Sequence, residues 1–190
     1  MAHGVSYYLK EAWKKPSREM LQPKLIEWRA GNAIVKIDKP TRLDRAHSLG
    51  YKAKDGFVIA RVRVRRGGRM NPKNRKGRRS KRMSPVKRLK MNYKWVAEMR
   101  AAKYFGNLEV INSYWIGKDG KHYFFDVILV DPNSPSIRND KEMSWITNKA
   151  NQNRVERGLT SAGRKSRGLR TKSHSLKVRP SIRSWGRRGK

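Results

Sequence analysis

The sequence contains no cysteine, which excludes disulfides and thiolate zinc sites and is compatible with a reducing compartment. Acid is scarce: 14 Asp and Glu face 48 Lys and Arg, a formal net charge of +34 over 190 residues. No acidic residue occurs between Asp55 and Glu98, and none follows Glu156. Ordinary solvated surfaces interleave both signs, so these acid-free stretches require a polyanion from outside the chain. Long apolar runs are missing as well. With a mean hydropathy of −0.92, no segment has the length of a membrane span or the pattern of an amphipathic anchor, and nucleic acid is a better partner than a membrane. The start, Met1-Ala2-His3-Gly4, leads into a polar pattern with Lys10, Glu11, Lys14 and Lys15 instead of an apolar signal run, and the protein is expected in the cytoplasm. A hydrophobic fraction of 36% supports one modest core and leaves part of the chain as extension.

What is present is arginine, most densely from Gly56 to Gly68. Val58, Ala60, Val62 and Val64 alternate with Arg61, Arg63 and Arg65, the period of a β-strand. Side chains on one face of a strand repeat about every 6.6 Å, roughly the spacing of phosphates along a nucleic-acid strand. Two readings stand here, an edge strand guarded by charge and a guanidinium row facing phosphates. The basic run that follows favours the second. On that reading the valine face packs beneath a helix, and Gln at Arg61, Arg63 and Arg65 weakens RNA binding without unfolding the body.

The run continues through Arg66, Arg69, Arg75, Lys76, Arg78, Arg79, Lys81 and Arg82. Gly67 to Ser84 has no large apolar residue besides Met70 and Met83, too little to order itself. It is expected to be an arm, disordered when free and ordered along a phosphate backbone. A second basic extension runs from Arg157 to Lys190, through Arg164, Lys165, Arg167 and Arg170, with glycines interspersed. The globular body is then expected mainly in residues 5–66 and 85–146.

Within that body, Tyr7, Tyr8, Leu9, Ala12 and Trp13 predict a short helix stopped before Pro16. A second helix starts at Pro16 or Ser17 and reaches Trp28, with Gly31 closing it. Ala33–Asp38 predicts a short strand. The basic segment Lys39–Lys54, holding Arg42, Arg45, Lys52 and Lys54, is either a loop touching phosphates or a connector whose helical turn is capped by Thr41 with Asp44. Ser84 as cap and Pro85 as first residue open the most strongly periodic helix, through Val86, Leu89, Tyr93, Val96, Ala97 and Arg100. Leu108–Ile116 and His122–Val130, joined by a Gly-containing loop, predict a hairpin whose second strand is central.

Sites for catalysis are thinly supported. Gly158–Ser166 imitates a phosphate-binding loop, but Arg164 intervenes between Gly163 and Lys165, where a P-loop needs Lys directly after Gly. Binding without hydrolysis stays open, with glycines letting the backbone approach phosphates and Thr160 or Ser161 capping a turn toward an anion. The four histidines are scattered, without the one-turn pairing of a helical metal site. Asp126 and Asp131 flank a strand and can be drawn as Mg²⁺ ligands of a nuclease, although basic partners explain them more simply. Trp13, Trp28, Trp95 and Trp115 lie in periodic segments and are expected in the core. Trp145 and Trp185 lie in basic, irregular surroundings suited to stacking on unpaired bases, Trp185 the better of the two.

Five segments converge on one family. Thr41–Ala46, Leu49–Lys54, Arg61–Arg69, Asn112-Ser113-Tyr114-Trp115 and Arg157–Leu169 closely resemble ribosomal large-subunit protein fifteen of the archaeal and eukaryotic type, in order along nearly the whole chain. The short C-terminal tail is nearer the archaeal form. The resemblance implies an α+β fold, a small antiparallel sheet packed with helices plus long basic extensions. It also implies a non-enzymatic role with large-subunit rRNA and neighbouring large-subunit ribosomal proteins as partners. No cofactor, dedicated metal site or small-molecule substrate is expected beyond Mg²⁺ travelling with the rRNA. Rival readings are a DNA-compacting protein, which binds duplex DNA as well as structured RNA, and a nuclease dependent on Asp126 or Asp131.

Overall fold

The β-branched and aromatic runs pair into one four-stranded antiparallel sheet. The computed structural model describes residues 3–68, 76–77 and 89–170. In chain order the elements are α1 (Val5–Ala12), α2 (Arg18–Ala30), β1 (Ile34–Ile37), α3 (Leu43–Ser48), β2 (Phe57–Arg65), α4 (Tyr93–Tyr104), β3 (Glu109–Lys118), β4 (His122–Val130), α5 (Pro135–Arg138) and α6 (Ser161–Ser166), with two short 3₁₀ turns between α5 and α6. The strands lie in the order β1-β2-β4-β3. β2 is therefore an interior strand, not an edge guarded by charge.

Helices cover both faces of the sheet. Ala60, Val62 and Val64 of β2 join Phe125, Val127 and Leu129 of β4 against Ala97 and Ala101 of α4, with Val155 closing the cluster. On the opposite face Phe124 and Ile128 of β4 meet Tyr114 and Ile116 of β3, Trp28 of α2 and Ala46 of α3. A third cluster, Val130, Ile137, Met143 and Ile146, closes one end. β4 is buried from Phe124 to Val130, which is why its sequence reads as a nearly continuous apolar run instead of alternating.

Local chemistry sets the element ends, and several depart from expectation. The Ser17 hydroxyl accepts from the Met20 N–H and starts α2, which continues through Pro23 to Ala30 because Leu21, Leu25 and Trp28 share the stripe that packs on the sheet. The helix expected from Ser84 begins instead at Asn92, whose Oδ1 accepts from the Trp95 N–H at 2.8 Å. Residues 89–92 are not helical, and Ser84 and Pro85 lie outside the described residues. The Asn92 side chain also donates to the Ala162 carbonyl, and its backbone N–H donates to the Ser166 hydroxyl oxygen, both at 3.0 Å, so the residue that starts α4 ties it to α6. Thr41 caps nothing: α3 begins after Arg42 without a side-chain cap.

The chain from Arg157 to Gly168, expected in an extension, folds onto the body. Gly158 takes a φ of +65°, and a Cβ on Gly163 would sit 2.7 Å from the Gly158 Cα. Only glycine permits that backbone approach. Thr160 caps α6 through the Gly163 N–H at 3.2 Å and donates to the buried Glu98 of α4 at 2.6 Å. The glycines of the P-loop imitation thus approach each other, and Thr160 caps the helical turn that follows.

Candidate nucleic-acid interface

The arginine row of β2 is not a free surface. Arg61 lies with its guanidinium carbon 4.3 Å from the centre of the Trp28 ring and donates to the Thr41 hydroxyl at 3.0 Å. Its Nε sits 3.7 Å from Asp126, the residue directly opposite it on β4. Asp126 is fully buried and accepts the Thr41 N–H at 3.2 Å. Burial pushes the Asp126 carboxyl above its usual range, opposed by Thr41 and Arg61; burial likewise lowers Arg61, and Asp126 opposes it. Arg63 donates to the Arg29 carbonyl at the C-terminal turn of α2. Arg65 alone of the three is exposed. Alternation placed these residues on one face correctly, but α2 crosses that face.

Other cations chosen from the sequence are also engaged within the protein. Arg42 pairs with Asp44 at 3.1 Å and lies 5.1 Å from the centre of the Trp13 ring. Lys52 and Lys54 both reach Asp140, and Lys52 also reaches Glu142 at 2.7 Å. Their ammonium groups hold the Asp140 carboxyl well below the usual carboxylate range. Arg66 donates to the Asp119 carbonyl and covers Tyr123; Arg157 donates to the Ala150 carbonyl. Arg167 is buried and donates to the Gly158 carbonyl at 3.2 Å.

A different set remains exposed. Arg45, Arg65, Lys76, Arg164, Lys165 and Arg170 are exposed and form no ion pair among the described residues. Arg69, Arg75, Arg78, Arg79, Lys81, Arg82 and Trp185 lie outside the described residues.

Lys94, half-buried and without an ion pair among the described residues, stands beside this set although the sequence reading passed over it. It stands in the first turn of α4, where the helix dipole disfavours a cation, and it feels the charges of Arg45, Arg170 and Lys165. Burial lowers the Lys94 ammonium below its ordinary value and the three neighbouring cations add to this, while Glu98 opposes it. Glu98 is itself fully buried and satisfied by the hydroxyls of Ser113 and Thr160; burial raises its carboxyl against those two bonds. The signal that would have found Lys94 was its position relative to the helix start. Moving that start from Pro85 to Asn92 turns a mid-helix lysine into a misplaced first-turn cation.

The tryptophans also sort differently. Trp28 is buried, but Trp115 is 39% exposed, a correction of its core assignment. Trp95 packs beside α6 and donates its indole N–H to the Val155 carbonyl at 2.8 Å. Trp145 carries Arg154 on its ring at 4.5 Å. Among the described residues no cluster of three or more His, Asp or Glu is arranged to hold a metal ion. Asp126 is enclosed by Arg61 and Thr41, and Asp131 accepts the Asn133 N–H at 2.8 Å.

Comparison with known proteins places this geometry. The family model described as Ribosomal L15 matches residues 4–185. The chain is similar to the large ribosomal subunit protein eL15 of Methanocella arvoryzae, 50% identical over the full length of both chains.

Proposed function

The chain belongs to the ribosomal L15 family, and we propose that it binds and stabilises large-subunit rRNA through phosphates held by exposed Arg and Lys. It is a structural, non-enzymatic constituent of the large ribosomal subunit. Its partners are rRNA and ribosomal proteins. The observation that carries the phosphate reading is the corner where Arg45, Lys165 and Arg170 bring positive charge to bear on Lys94, none of the four forming an ion pair among the described residues. Such a group is stabilised when an external anion enters. Phosphate contacts supply affinity and placement, and the shape of the RNA supplies selectivity.

The interior arginines serve that surface indirectly. Arg61 and Arg63 fasten β2 to α2 and β4, and Lys52 and Lys54 fasten the loop before β2 to Asp140. Together they hold the body against which α4 and α6 present their cations.

With six to ten phosphates neutralised, affinity for a large-subunit rRNA fragment falls by about 10³ to 10⁵ between roughly 50 and 200 mM salt. A flat salt response overturns the proposal. Equal competition by duplex DNA at physiological salt would show a general polyanion binder instead.

A further inference from the structure

At the open edge of β3, residues of α1, α3 and the first turn of α4 surround a cavity of about 590 Å³ lined by Lys10, Arg42, Arg45, Lys94, Tyr114 and Trp115, with Ser6, Asp44 and Ser48 completing it. Its volume falls within the usual span of ligand pockets. Two features of it are unexplained by packing. Trp115 leaves 39% of its surface exposed in a body whose other sheet aromatics are covered, and Lys94 has no ion-pair partner among the described residues. The one acid in the lining, Asp44, is neutralised by Arg42 at 3.1 Å.

An aromatic plane beside several cations in one cavity is the chemistry that holds an unstacked base together with its phosphate. We propose that this cavity receives a single unpaired nucleotide of the bound RNA, its base stacked on Trp115 and its phosphate between Arg45 and Lys94. The inference rests on the rRNA-binding reading and adds to it a site that distinguishes an extruded nucleotide from a paired stem. The pocket is assembled from three helices and a strand, so it exists before RNA arrives, unlike a segment that folds on binding. An entering phosphate also offsets the positive charge that Arg45, Lys165 and Arg170 bring to bear on Lys94.

The test uses the full chain and two RNA hairpins of identical stem, one carrying a single bulged uridine and the other fully paired, with binding measured across a salt series. The wild-type protein is expected to prefer the bulged hairpin by on the order of 5- to 150-fold, the range for stacking of one base. Trp115→Leu is expected to erase that preference while leaving affinity for the paired hairpin unchanged, and Trp115→Tyr, which restores an aromatic plane, to recover most of it. Lys94→Met is expected to lower the salt slope for the bulged hairpin by just under one, as for one lost phosphate contact. Equal binding of both hairpins with a steep salt dependence overturns the pocket and leaves phosphate binding standing. A preference that survives Trp115→Leu also overturns it, and weak, salt-insensitive binding of both hairpins overturns both readings.

Discussion

The face of β2 under α2 and the corner formed by α3, α4 and α6 are both rich in cations, yet they use them in opposite ways. Under α2 the guanidinium of Arg61 is surrounded by Trp28, Thr41 and the buried Asp126. At the corner, Arg45, Lys165 and Arg170 act on Lys94 against the buried Glu98, and none of the four cations forms an ion pair among the described residues. Local density of positive charge is therefore a poor guide to which cations stay unpaired. What separates the two regions is a paired acid: Arg61 meets Asp126 within the sheet, whereas the corner cations form no ion pair among the described residues and Glu98 is spent on the hydroxyls of Ser113 and Thr160.

The sharpest way to break this contrast is to remove one cation from each side. Arg61→Met leaves Asp126 buried without its partner and is expected to cost about 3 to 5 kcal/mol of stability, read from urea unfolding of the full chain. The sequence alone suggested that Gln at Arg61, Arg63 and Arg65 spares the fold, and the structure reverses that expectation for Arg61. A stability loss below about 1 kcal/mol would place Arg61 with the exposed cations instead.

Next in size is the joint that carries α6 to the corner. Gly163→Ala forces a methyl group into the Gly158 backbone and is expected to cost about 1 to 3 kcal/mol as overpacking, with RNA affinity falling in parallel because Lys165 and Arg170 lose their placement. Unchanged thermal unfolding would show that the joint gives way easily.

Glu98, buried between the two helices that build the corner, adds a pH dependence. Its folded carboxyl is raised by burial, so its favourable contribution is fully present below about pH 4.5, its ordinary value, and is lost as pH rises through the raised folded value. Glu98→Gln removes that titration. Relative to wild type, the variant is expected to gain stability as pH increases over this window, whereas parallel stability curves would show that Glu98 does not titrate within it. The smallest expected effect on folding belongs to Arg45→Gln, within about 0.5 kcal/mol of wild type, since its side chain is exposed and unpaired.

Much of the fold was legible in the sequence for reasons that are local. The strand-like run of β3, the glycine-bearing loop and the apolar run of β4 announce the hairpin, and Ser17 announces α2. The site was less legible because its logic is long-range. Alternation shows that Arg61 and Arg63 share a face of β2, but not that α2 returns to cover that face, nor that the register sets Asp126 opposite Arg61. Thr41 has the spacing of a capping box with Asp44, yet tertiary contacts take its hydroxyl and N–H for Arg61 and Asp126. Trp115 sits in a strand like a core residue, yet it lines the cavity beside α1, α3 and α4 and stays 39% exposed. The motif Arg157–Leu169 marked the family correctly while its glycines and Arg167 turned out to serve packing.

The most direct test of the division between interior and assembly charges is the salt dependence of binding to a large-subunit rRNA fragment, measured for wild type and for the triple variant Arg45→Gln, Lys165→Gln, Arg170→Gln. If these three cations each hold a phosphate, the slope of log K against log salt becomes shallower by about 2 to 3, with stability unchanged. A triple variant that retains the wild-type slope would contradict the account and return the RNA contact to other parts of the chain.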